Sequence, residues 1–452
     1  MAWNQVSEHR WERPASAWEE FFIMMDNISG GLAEGRRHFT SFSRIKVELE
    51  IFERESALRN AWKQLRHEQP NLAVTVEDCS LIYEVPDEPG LQAWLDNTFI
   101  VCGGIGSDAL ALESRPIQQP TLYYLPATSE LVFRAPHRAI DGVGTMLFWH
   151  AYLSALINPN TDFMFGDEAI RLPPSLNKTL GNPDTPHPDL KARAVEVVDK
   201  FGAEIPGIAG VNQTMTVLPQ RTLQRELVFS EQMTDAIVQA CKKQGFSVSA
   251  AVHAAFVLTM VKYCDPAKTT EETNYATPGH FSFRHLLPAP YNSSQFGVAL
   301  FFSNWPVIIE KPAKKTFKDI VESLDEFYKT TFNGNAENVK ISELVCRAML
   351  DNTRDPYYQA KPPCRDPLVS SLGLAEKYLS RSYASADQSR HVAVIEFKFG
   401  FDITLGYSAL HFWTFRNQLQ LNYSFNEAFE EESVVQAYLE HVQKILLDEV
   451  VG

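Results

Sequence analysis

Cysteine is scarce in this sequence, and none of it is spaced for chemistry. The six residues, Cys79, Cys102, Cys241, Cys264, Cys346 and Cys364, include no C-x-x-C pair. Neither a disulfide framework nor a zinc or other metal site is expected; reduced, mostly buried thiols in a cytoplasmic protein are. Positive charge is short as well. The 41 Lys and Arg stand against 56 Asp and Glu, a net charge of −15, with a pI near 5.3. A nucleic-acid binder carries a basic face and an anionic membrane attracts one, so neither partner is expected. Long apolar runs are missing too. The longest, from Val248 to Val261, contains Ser249 and His253 and is too short to span a bilayer. The opening M-A-W-N-Q-V-S-E-H-R has no apolar core behind a basic start, so no signal peptide is expected.

What is present is globular. The chain has 452 residues, 45% of them hydrophobic and 21% charged, enough for two or three domains. Alternating apolar residues predict strands at Phe39–Glu50, Thr121–Pro126, Leu131–Pro136, Arg221–Phe229 and His391–Phe401, and a hairpin of Ala409–Phe415 with Gln418–Phe425. Helical spacing predicts helices at Ala15–Asp26, Arg54–Glu68, Ser230–Lys243, Lys315–Phe332 and Glu431–Leu447, and a helix apolar nearly all round from Ser247 to Tyr263. Gly297–Glu310 reads as a buried strand broken at Asn304-Trp305-Pro306. Pro- and Asn-rich chain follows Asn158. It predicts a first lobe over 1–175, a crossover linker over 176–220 and a second lobe over 221–452. The class is α+β and rich in strands.

One stretch organises the rest. Leu131, Phe133 and Ala135 alternate up to Pro136; from Asp141 the apolar residues Val143, Met146, Leu147 and Leu153 follow helical spacing, and Asp141 suits an N-cap. His137 therefore falls in a short joint between a buried strand and a helix. Gly142 and Gly144 permit close approach of backbone or substrate.

The joint reads H-x-x-x-D-G, and this pattern resembles the signature of the CoA-dependent acyltransferase superfamily: chloramphenicol acetyltransferases, plant BAHD acyltransferases and peptide-synthetase condensation domains. Three more segments match in order. F-S-F-R at Phe281–Arg284 resembles the V-D-x-R strand, with Ser282 in place of Asp. F-G-V-A-L-F-F-S-N at Phe296–Asn304 resembles the G-x-F-x-N strand, and S-S-L-G at Ser370–Gly373 the S-N-L-G element. The opening W-E-R-P and the size resemble fungal stand-alone O-acyltransferases of secondary metabolism. Pro136 stands where condensation domains carry a second His, and the BAHD motif D-F-G-W-G is absent.

The resemblance implies two chloramphenicol-acetyltransferase-like lobes, each a mixed sheet with flanking helices. It implies a tunnel at their interface, entered by acceptor and acyl-CoA from opposite ends. It makes His137 the general base that takes a proton from an attacking hydroxyl, a task for an imidazole at neutral pH. It gives Asp141 and Gly142 a structural role and Arg284 that of the partner of Asp141; from the residues alone, Asp141 equally reads as a helix cap. Ser303 and Asn304 would line the tunnel or hold the oxyanion, or else satisfy a strand break. Lys311, Lys314, Lys315 and Lys318 would meet CoA phosphates or simply solvate a helix start. His150 and His253 read as core histidines. Acyl-CoA enters as co-substrate with no bound cofactor, and a carrier protein is an alternative donor. The leading reading is acyl transfer, acetyl first, to a hydroxyl of a small apolar metabolite. Condensation or cyclisation of a carrier-bound or free intermediate is the second, and a binding protein without turnover the third.

Overall fold

The computed structural model describes residues 1–32, 37–113, 115–183, 185–208, 210, 217–359 and 365–452; Cys364 and parts of the expected linker lie outside them. The chain divides into two compact units, and the division differs from the one composition predicts. The first comprises 1–184, 282–302 and 375–402; the second comprises 185–281, 303–374 and 403–452.

Strand pairing is the reason for the difference. In the first unit a six-stranded sheet runs in the order Ser382–Ala384, His391–Phe401, Thr40–Glu50, Glu130–Pro136, Thr121–Leu125, Phe99–Val101. His391–Phe401 pairs antiparallel along Thr40–Glu50 from Glu50 opposite His391 to Ser41 opposite Phe401. A late segment thus completes the early sheet. Only the last pair, Phe99–Val101 with Thr121–Leu125, is parallel. The sheet is mixed and open. Glu130–Pro136, flanked on both sides, is buried at every position, as a strand covered on both faces must be. Its Phe133 stacks 3.7 Å from Phe148 of the helix Gly142–Ile157, a helix buried nearly all round. The segment W-E-R-P lies in a strand, Arg10–Pro14, of a separate four-stranded sheet.

The second unit holds another six-stranded mixed sheet, ordered Phe302–Ile309, Tyr275–Ser282, Leu368–Leu374, Ala409–Phe415, Gln418–Asn426, Thr222–Val228. The apolar helix Val248–Lys262 packs in its core, with Phe256 and Val257 fully buried. Two expectations fail here. Phe302–Ile309 is not broken: it runs through Pro306, because it is the edge strand, where a missing N–H leaves no ladder bond unmade. The expected linker contains a 17-residue helix, Pro188–Glu204, whose Ala194 and Val198 pack on Ile341 and Val345 of the helix Ala336–Arg354.

Candidate active site

The first unit brings His137, Asp141 and Arg284 together. The strand ends at Pro136, a single 3-10 turn carries His137–Ala139, and Asp141 caps the next helix by accepting from the Gly144 N–H at 2.6 Å. Asp141 is also the partner of Arg284: Oδ2 accepts from Arg284 Nη2 at 3.0 Å and from the Phe301 N–H at 2.8 Å. Arg284 spends its other protons on the carbonyls of Phe296 (2.8 Å), Gly297 (3.1 Å) and Ala299 (3.0 Å). Both side chains are buried. Cap and ion-pair roles therefore coexist in one carboxylate. It fastens the start of the helix to the 282–302 segment.

Close approach is required at Gly144 in particular. A Cβ there would lie 2.5 Å from the Gly297 carbonyl oxygen and 2.6 Å from Arg284 Nη2, which no side chain survives without displacement. Gly142 is the first residue of the helix. Asn71 ties the same parts together, its Nδ2 donating to the carbonyls of Ala139 (3.2 Å) and Val298 (2.9 Å).

His137 is buried, with 9% of its surface accessible. Its Nδ1 lies 2.8 Å from the Ile140 carbonyl oxygen. A carbonyl only accepts, so Nδ1 carries the proton and Nε2 presents a lone pair. Burial pulls the imidazole down to about 4, against weaker opposing effects of the Ile140 carbonyl and Asp141. The ring is neutral at pH 7.

Four phenylalanines surround it. Phe22 stacks at 4.2 Å, Phe401 at 4.7 Å and Phe302 at 5.3 Å, and Phe39 stands edge-on at 6.2 Å. Phe39 also receives the His137 N–H on its carbonyl (3.1 Å) from a left-handed backbone, φ +60°, a conformation that costs a bulky residue energy. One residue on, Arg138 donates to Asp26 (2.8 Å) and to the Gln118 carbonyl (2.6 Å), tying the turn to the helix Ala17–Leu32 that carries Phe22. Sequence reasoning missed this shell. Its members come from four separate segments, and no spacing links them.

The remaining candidates fall elsewhere. Ser303, fully buried, and Asn304 follow Phe302 but belong to the second unit. Asn304 Oδ1 is buried with no hydrogen-bond partner among the described residues. Lys311 and Lys314 both pair with Glu272 at the surface. His150 bonds the Tyr383 hydroxyl at 3.1 Å, and His253 sits between the hydroxyls of Tyr328 (2.8 Å) and Tyr275 (3.0 Å). Among the described residues, His67, Asp167 and Glu168 have metal-ligand spacing. Arg171 already donates to Asp167 (2.9 Å) and Tyr83 to Glu168 (2.6 Å).

No family profile matches the sequence. The chain is 28% identical to O-acetyltransferase pigM of Monascus ruber over 88% of its own length and 77% of that protein. It is 27% identical to acetyltransferase pigO of the same fungus, over 100% of this chain and 98% of that one. Among solved structures it shares the fold of trichothecene 15-O-acetyltransferase from Fusarium sporotrichioides, with TM-score 0.80 at 17% identity, covering 98% and 97% of the two chains. The first condensation domain of the calcium-dependent antibiotic synthetase matches with TM-score 0.65 at 12% identity, covering 99% and 98%. No single helix among the described residues is long and apolar enough to cross a membrane. The relatives of this chain in sequence are fungal acetyltransferases, and its fold is shared with a trichothecene acetyltransferase and with condensation domains, consistent with the superfamily that the H-x-x-x-D-G joint resembles.

Proposed function

We propose that the protein is an acyltransferase of secondary metabolism. It moves an acyl group, acetyl in the simplest case, from acyl-CoA to a hydroxyl of a small apolar metabolite in the cytoplasm. The observation that carries this is the state of His137: neutral, its Nδ1–H spent on Ile140, its Nε2 lone pair unclaimed among the described residues, inside an apolar shell. That is the form a general base needs before it meets an alcohol. Relatives named as acetyltransferases support the class of reaction.

In the proposed step the acceptor oxygen attacks the thioester carbonyl carbon while Nε2 takes the hydroxyl proton. A C–O bond forms and the carbonyl pair moves to oxygen. The tetrahedral anion collapses, the C–S bond breaks, and the departing sulfur takes the proton back from the imidazolium. The products are an ester and free CoA thiol, and His137 returns to its starting form. Asp141, Gly142 and Arg284 hold the loop. Ser303 and Asn304 are proposed to line the substrate path or meet the oxyanion, the latter through the Ser303 hydroxyl or the Asn304 Nδ2–H; the Asn304 Oδ1, unpartnered among the described residues, can only accept, as from an acceptor hydroxyl. No bound cofactor takes part.

The likeness to condensation domains supports a second reading, in which a carrier-bound acyl group is the donor or a bound intermediate is condensed or cyclised. The test offers acetyl-CoA and an acetylated carrier protein in parallel to a panel of apolar alcohols, a 15-hydroxylated trichothecene among them. Thiol release and acetyl ester are followed. Ester from acetyl-CoA is expected; ester from the carrier alone would transfer the proposal to the second reading, and no ester from either donor would refute both.

A further inference from the structure

We infer that the rings of Phe22, Phe302 and Phe401 act as the counter-charge of His137, stabilising the imidazolium that forms when it takes the hydroxyl proton. This rests on His137 being the base. A buried imidazolium normally leans on a carboxylate, and among the described residues none pairs with it; Asp141 favours the charged ring only weakly, against the larger effect of burial. Asp141 is committed to Arg284, the Gly144 N–H and the Phe301 N–H. On the helix of Phe22, Glu19 pairs with Arg13 and Asp26 with Arg138. Glu20 stands two residues before Phe22, on another side of the helix. On the strand of Phe401, Glu396 pairs with Arg44, and Lys398 is out of phase with Phe401 and projects from the opposite face. Beyond that strand Asp402 meets Arg134. Beside Phe39, burial holds His38 neutral, pulling it down to about 3.

Besides the Ile140 carbonyl on Nδ1 and the weak field of Asp141, what lies against the ring is π-electron density. Three phenylalanines lie stacked on the imidazole, with interplanar angles of 28°, 13° and 27°. The face of an aromatic ring is its negative part, and it attracts a cation more strongly where water is excluded. The neutral ground state gains little from this and the charged transition state gains much. Such a difference raises kcat and leaves KM alone.

Phe22, Phe302 and Phe401 are positioning residues in this account, and the test separates ring charge from ring volume. Phe401 is replaced by mono-, di- and trifluorophenylalanine in the full-length protein, which drains the ring face at nearly constant shape. Phe22→Leu and Phe401→Leu remove it, and Phe401→Trp restores it. The expected results are a stepwise fall in kcat with fluorine count, reaching about three- to tenfold for loss of one ring, an unchanged KM, and recovery with Trp. A flat fluorine series would overturn the inference, whatever the Leu variants do. An arm independent of turnover follows the His137 resonance by 13C-histidine NMR, assigned by its absence in His137→Gln. Each ring loss should lower its apparent pKa. A rise toward the ordinary histidine value would show that the rings only exclude water. Should the wild type transfer no acetyl group, the functional reading fails, and the NMR titration still decides whether the rings stabilise the cation.

Discussion

Replacing Arg284 with Met keeps most of the side-chain length and removes the guanidinium. Asp141 would then be a buried carboxylate left with two backbone N–H donors, from Gly144 at 2.6 Å and Phe301 at 2.8 Å. Three carbonyls, of Phe296, Gly297 and Ala299, would lose their shared donor. Breaking a buried pair from one side costs about 3–5 kcal/mol. For a unit of this size each kcal/mol lowers the melting temperature by about 2–4 °C, so calorimetry should show a drop of about 6–20 °C. The orphaned carboxylate would sooner be protonated, so the deficit should shrink as pH falls toward 5. The double variant Asp141→Asn, Arg284→Met should melt above the sum of its parts, because the uncompensated charge is gone. An Arg284→Met protein melting within about 1 °C of wild type, or strict additivity in the cycle, would refute the assignment of this pair as the fastening of the His137 loop.

Gly144→Ala places a methyl group 2.5 Å from the Gly297 carbonyl oxygen, and overpacking of this kind costs about 1–3 kcal/mol. Urea unfolding should show that loss, and activity should fall further than that of an alanine substitution at an open glycine such as Gly31, where nothing lies within 4 Å. The pH dependence of the site has a definite sign. A histidine whose folded pKa is lowered to about 4 stays neutral below 6.5, where an unfolded one already binds protons. It therefore contributes stability above 6.5 that is lost as pH falls from 6.5 to about 4. His137→Gln should flatten that part of the stability profile, and wild-type kcat/KM should hold its plateau below pH 6; half-maximal loss near 6.5 would show an ordinary, solvated imidazole.

Local chemistry was legible in the sequence, and distant pairing was not. The helix Arg54–Glu68 falls where its spacing predicts, and the helix Glu231–Gln244 ends at Gly245, φ +85°. The hairpin turns at Arg416 and Asn417, both left-handed at φ +49° and +61°. The H-x-x-x-D-G joint has the predicted form, a strand, a turn and a helix capped by Asp141. Alternation marks Thr40–Glu50 and His391–Phe401 as strands but says nothing of their pairing, which closes a loop of some 350 residues and moves the unit boundaries with it. Leu190, Ala194, Val197 and Val198 do follow helical spacing. The prolines before them hid it. The aromatic shell of His137 was illegible for the same reason as the sheet: Phe22, Phe39, Phe302 and Phe401 are brought together by the fold alone.

The central claim is that the Nε2 lone pair of His137 takes the proton of an attacking alcohol. The most direct measurement is the rate of CoA-thiol release from acetyl-CoA, with a hydroxylated acceptor in excess, for the wild type and a folded His137→Ala protein. General-base loss predicts a fall of about 10²- to 10⁴-fold in kcat, with the acceptor's KM little changed. Equal rates in the two proteins would contradict the account.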